Sequence, residues 1–153
     1  MIKNGMFHYT SCGLQNVWLK NGFVVKKTSY GDAISIHNLE GLHRAIGMDL
    51  VCNKKILAGG EVRFLRKELD MSQNSFAGIL GVGETTVRGW EKNRTKITGP
   101  ASQLLRLLYR EHVDGDGSVR GLVERIAELD RLKPQPSKHK FEDTSHGWRA
   151  VAA

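Results

Sequence analysis

From Gly59 onward the apolar positions of this 153-residue chain recur at helical spacing, whereas before it they alternate or run in short stretches. In EVRFLRKELD, Val62, Leu65 and Leu69 fall on one face of a helix. Ser72 is placed to cap a second helix that opens at Gln73. A third runs from about Glu84 to Asn93, beyond a glycine turn. Pro100, suited to a first helical position, opens a fourth, ASQLLRLLYREH, with Leu104, Leu105, Leu108 and Tyr109 inward. After the turn-rich DGDGS, the stretch VRGLVERIAELDRL carries a stripe of Val119, Leu122, Val123, Ile126 and Leu129. That stripe predicts a fifth helix, which either packs on its own domain or serves dimerisation. Beyond Leu132 two prolines, many polar groups and no period predict a flexible tail over 133–153, in which Phe141 and Trp148 offer a partner something to hold.

The first 57 residues have strand chemistry. In NVWLKNGFVVKKT two runs rich in Val, Phe and Trp flank Asn21-Gly22, the pair best suited to a two-residue hairpin turn, so a hairpin is expected there. AISI at 33–36 can add a strand. Asn38 then caps a short helix, LEGLHRAIGM, with Leu39, Leu42 and Ile46 on one stripe. The chain therefore reads as mainly α within an α+β class: a β-plus-helix module over 1–57, a five-helix domain over 58–132 and a tail over 133–153.

The densest pattern lies between Gln73 and Trp90. QNSFAGILGVGETTVRGW places Ala77 where a second helix must cross closely, Gly81 where a positive φ ends the first helix, and Val87 and Trp90 facing back into the junction. Glu84, Thr85, Thr86 and Arg88 are left pointing outward. Two helices joined this way are a device for placing one helix in the DNA major groove.

With Gln73 as the first position, Ala77 is the fifth, Gly81 the ninth, Val87 the fifteenth and Trp90 the eighteenth. At this spacing the segment resembles the helix-turn-helix of the Cro/cI repressor family, also called the XRE family, over roughly residues 58–112. The resemblance implies a lambda-repressor-like fold for the five helices. It also implies a salt bridge between Arg66, seven residues before Gln73, and Glu91, next to Trp90, pinning the first helix of the domain to the recognition helix.

In such a domain the first turn of the second helix reaches base edges. Glu84 can accept from a cytosine amino group, Thr85 can pair with a base or touch a thymine methyl, and Arg88 can grip guanine; Thr86 completes the reading face. Glu84 and Arg88, one helical turn apart, can equally satisfy each other. Phosphate contacts are expected from Gln73 and Asn74 at the start of the first motif helix, and from Lys92, Asn93, Arg94 and Lys96 after the second.

Charge agrees with a polyanionic partner. The formal charge is +7, and basic groups that neutralise phosphates release condensed counterions. Lys and Arg exceed Asp and Glu by seven to three over 1–57 and by nine to six over 58–113, but only match them after that. One module reads few base pairs, so a homodimer on a palindromic double-stranded site is expected, probing it as a transcriptional regulator and, in the leading reading, a repressor.

Other chemistry is not indicated. Cys12 and Cys52 suit a reducing cytoplasm, the amino terminus lacks the apolar run of a signal peptide, and no stretch has the length of a membrane span. The layout, a small β-containing module before an XRE domain, also resembles antitoxins of the MqsA family, which would give residues 1–57 a toxin protein as partner. The paired Cys-x-x-Cys zinc ligands of that family are missing, so no metal is expected despite His8, His37 and His43. No nucleophile-and-base pair, nucleotide fingerprint or other cofactor motif is visible, and no enzyme is expected.

Overall fold

The computed structural model describes residues 1–115, 118–129 and 140–151. Three short antiparallel strands open the chain: β1 (Ile2–Lys3), β2 (Met6–His8) and β3 (Trp18–Leu19), in that spatial order. A separate two-stranded sheet follows, β4 (Phe23–Thr28) with β5 (Gly31–Ile36). Six helices come next: α1 (Leu39–Asn53), α2 (Gly59–Glu68), α3 (Gln73–Leu80), α4 (Glu84–Glu91), α5 (Gly99–Asp114) and α6 (Ser118–Leu129). A third sheet, β6 (Lys140–Thr144) with β7 (Gly147–Val151), ends the described residues.

The hairpin expected at Asn21-Gly22 does not form. The strand before that pair, Trp18–Leu19, turns the other way and pairs with Phe7 and His8. Trp18 stacks on the His8 ring at 4.2 Å, Tyr9 N donates to Val17 O at 2.9 Å, and Leu19 is buried. Gly22 does take a positive φ of 80°, but as a corner between two sheets, its carbonyl accepting from His37 N at 2.8 Å. The run FVVKKT instead folds back through Ser29-Tyr30. Thr28 closes that turn: its hydroxyl donates to Gly31 O at 2.6 Å and accepts from Tyr30 N at 3.3 Å. A threonine that bonds the turn backbone, followed by Gly31 at φ 117°, outweighed the Asn-Gly preference.

The tail also departs from expectation. Residues 140–151, read as part of a flexible segment, form a hairpin closed the same way. Thr144 Oγ1 donates to Gly147 O at 2.7 Å and accepts from His146 N at 3.2 Å, and Arg149 pairs across the strands with Glu142. The last residues of the predicted fifth helix and positions 130–139 lie outside the described residues. What is described of that helix, α6, packs on α5 and α3.

Helix ends follow local chemistry. Asn38 Oδ1 accepts from Gly41 N at 3.2 Å to start α1, Ser72 accepts from Ser75 N at 3.0 Å to start α3, and Pro100 stands in the first turn of α5. Buried Glu111 caps α6, accepting from Val119 N at 2.6 Å and Arg120 N at 2.9 Å. Such a carboxylate suits the positive end of a helix.

One core unites α1 with the following helices. Leu14, Leu50, Val51 and Leu57 join Val62, Phe64, Leu65, Leu69, Phe76, Val87, Trp90, Leu105, Leu108 and Tyr109. Polar ties reinforce the joint. Arg106 of α5 donates to the carbonyls of Val51 and Lys55 at 3.0 and 3.2 Å, holding the end of α1. His43 Nδ1 lies 2.7 Å from Glu68 Oε1 of α2, while Nε2 lies 2.7 Å from the Tyr9 hydroxyl. Burial pushes the Tyr9 hydroxyl above its ordinary pKa, with Cys12 and Glu68 adding to the effect.

Gly47 makes the α1–α5 crossing possible. A β-carbon there would stand 2.1 Å from the Tyr109 hydroxyl oxygen and 2.2 Å from the ring carbon bearing it. Gly47→Ala is expected to cost about 1–3 kcal/mol through forced repacking. Urea unfolding followed by tryptophan fluorescence measures this; an unchanged midpoint would show that the ring yields freely.

Candidate nucleic-acid interface

α3 and α4 hold their angle through buried residues of the motif. Phe76 and Val87 are fully buried, and Ala77 and Trp90 nearly so. Gly81 ends α3 in the left-handed region at φ 71°, and Val82 N returns to Ala77 O at 3.0 Å. Without a β-carbon this turn is free of strain.

Arg66 and Glu91 form the expected pair. Nε donates to Oε2 at 2.8 Å and Nη2 to Oε1 at 2.9 Å, while Nη1 satisfies Met71 O at 2.8 Å. The two side chains are 9% and 4% exposed, so this is a desolvated, bidentate contact, the strong kind. Gln73 adds a bond from Nε2 to Glu91 Oε1 at 3.2 Å. Its side chain, expected at a phosphate, is thus tied to the end of the recognition helix in this structure.

The outward face of α4 carries Glu84, Thr85, Thr86 and Arg88. Both threonines are exposed. Glu84 sits between two neighbours, with Arg88 Nη2 at 3.5 Å from Oε1 and Asn74 Nδ2 at 3.4 Å from Oε2. These are long contacts with half-exposed partners, easily exchanged for a base edge. α6 stands close by: Arg120 and Glu124 line the same cleft as Asn74, Ser75, Gly83 and Glu84.

The loop after α4 holds the basic groups. Lys92, Arg94 and Lys96 are exposed and make no ion pair among the described residues. Backbone bonds fix their positions: Asn93 N to Trp90 O at 3.1 Å and Arg94 N to Gly89 O at 2.9 Å, with Ile97 buried beyond them. Asn93 itself leaves the helix at φ 58°, so α4 ends at Glu91 rather than Asn93. Its Oδ1 accepts from Gly59 N at 2.8 Å, supplying from a distance the cap that Ala58 lacks. A β-carbon on Gly59 would stand 2.4 Å from Trp90 O and 2.6 Å from Glu91 O. Asn93, expected at a phosphate, is therefore also a brace between two helices; an asparagine after a recognition helix is the only sequence signal for it.

Among the described residues no group of three or more His, Cys, Asp or Glu is placed to hold a metal ion, and no helix is long and apolar enough to cross a membrane.

No curated protein matches the chain. Residues 62–113, about a third of its length, match a family model described as helix-turn-helix. The match supports double-stranded DNA binding and transcriptional regulation, and it covers Arg66, the whole α3–α4 unit and the basic loop. This part of the chain is similar to a helix-turn-helix domain.

Proposed function

We propose that the protein is a sequence-specific transcriptional regulator, a repressor that binds a palindromic operator as a homodimer. The observation that carries this reading is the exposed face of α4, with Glu84, Thr85, Thr86 and Arg88 outward, on a helix whose other side is locked by Val87, Trp90 and the Arg66–Glu91 pair. A helix so fixed enters a major groove without first being ordered. Lys92, Arg94 and Lys96 beside it supply phosphate contacts that carry no sequence information. A homodimer follows from the small footprint of one module, and repression from occupying an operator.

Sites selected from a random DNA pool provide the ligand for the test. Arg88→Ala is expected to relax preference at one base pair of each half-site by about 1–3 kcal/mol, and Arg94→Ala to weaken all sequences alike and lower the salt slope by about one. Fluorescence anisotropy with operator variants at several salt concentrations measures both. An unchanged ranking of variants with Arg88→Ala would remove the base-reading role.

A further inference from the structure

The β4–β5 and β6–β7 hairpins are built alike, and their first strands carry opposite net charge, +2 on β4 and −1 on β6. Each has a two-residue loop between a threonine and a glycine, Thr28↔Gly31 and Thr144↔Gly147, with the same pair of threonine hydroxyl bonds. Counting back from the threonine, Lys27 corresponds to Asp143 and Lys26 to Glu142. Lys26, Lys27 and Asp143 make no ion pair among the described residues.

Among the described residues neither hairpin gains a third strand. They are separate sheets, Val24 and Val25 are 58% and 38% exposed, and Trp148 is 74% exposed. A lone two-stranded hairpin is marginal in water, whereas more strands sharing an apolar face are stable. Because both loops have the same length, the outward-bonding positions of β4 (Phe23, Val25, Lys27) and of β6 (141 and Asp143) are in each case those on the face with the apolar residues. Joining these edges antiparallel therefore aligns the two apolar faces on one side.

We infer that β4 of one copy pairs antiparallel with β6 of a second copy, giving a four-stranded sheet β5-β4-β6-β7 across a two-fold axis. Full overlap sets Val25 opposite Asp143 and Lys26 opposite Glu142, with Lys27 diagonal to Asp143. Charge selects this pairing. β4 carries a net +2 and β6, with Lys140 beside Glu142 and Asp143, a net −1, so β4 with β4 or β6 with β6 joins strands of like net charge and the mixed pair joins strands of opposite net charge. The two-fold axis repeats the contact, so each dimer holds two such seams. This proposal rests on the homodimer reading above and names its interface.

The test uses the full chain in sedimentation equilibrium, with far-UV circular dichroism confirming the fold of each variant. K26E/K27E and E142K/D143K are each expected to raise the dimer dissociation constant at least about tenfold, since both seams become repulsive. An equimolar mixture is expected to restore wild-type affinity, because in the heterodimer both seams again join opposite charges. V25P, which removes an outward N–H from β4 while sparing the bonds to β5, is expected to weaken the dimer without restoration by either charge variant. Dimers unaffected by both charge reversals would overturn the seam while leaving the homodimer reading intact. Weakening without restoration on mixing would also overturn it. A wild-type chain that stays monomeric on operator DNA would remove the homodimer reading itself.

Discussion

Arg66→Ala is expected to destabilise the domain by about 3–5 kcal/mol, because it strands a carboxylate in a place with almost no water. Glu91 is 4% exposed, and the guanidinium supplies both of its short contacts, at 2.8 and 2.9 Å. Gln73, at 3.2 Å, is the one remaining donor among the described residues and is neutral. The same substitution frees Met71 O, the third acceptor of the guanidinium. Glu91→Gln, which keeps the shape and removes the charge, is expected to cost less than Arg66→Ala, and the double variant less than the sum of the two. Thermal and urea unfolding of the three variants measures this cycle; additive effects would show that the pair is not coupled.

Tyr109→Ala is expected to cost a similar amount, about 3–5 kcal/mol, through the cavity it leaves. The ring is 1% exposed and fills the space under Gly47, which has no side chain of its own to collapse into the void. Its hydroxyl lies 3.5 Å from Arg44 O. Burial pushes its pKa up to about 12, Glu68 adding to the rise and Arg44 opposing it. Since the folded pKa exceeds the ordinary value of 10, folding favours the neutral phenol. This contribution is complete below pH 10 and is lost as the pH climbs towards 12. Tyr109→Phe is expected to flatten that alkaline decline, leaving the smaller part due to Tyr9. A decline identical in wild type and Tyr109→Phe, read from unfolding midpoints between pH 8 and 12, would assign it elsewhere.

The helical domain was legible because its signals are local and redundant. Ala77, Gly81, Val87 and Trp90 stand at fixed spacing, Ser72 and Pro100 mark helix starts, and Arg66 with Glu91 brackets the motif. The amino-terminal strands were less so. Asn21-Gly22 is a strong turn signal, yet Trp18 and Leu19 found better partners in His8 and Phe7, and pairing between distant strands is not written in turn chemistry. In the tail the absence of periodicity concealed a hairpin whose signal, Thr144 and Gly147 around two residues, is shared with Thr28 and Gly31. Of the candidate contacts, Glu84, Thr85, Thr86 and Arg88 were legible as outward positions because the scaffold fixes their faces. The tie of Gln73 to Glu91 and the brace from Asn93 to Gly59 were not, since each joins residues 18 or 34 positions apart.

The brace from Asn93 sets a rule for how such a protein can vary. Asn93 is fastened to Gly59 and Ile97 is fastened in the core, so the number of residues between them cannot change without uncapping α2 or pulling Ile97 out. Lengthening or shortening this loop is closed as a route of divergence. Exchange of the exposed basic residues between and beside the anchors remains open, and those are Lys92, Arg94 and Lys96. Grip on the DNA backbone can therefore be adjusted one charge at a time, while the helix that reads the bases keeps its position.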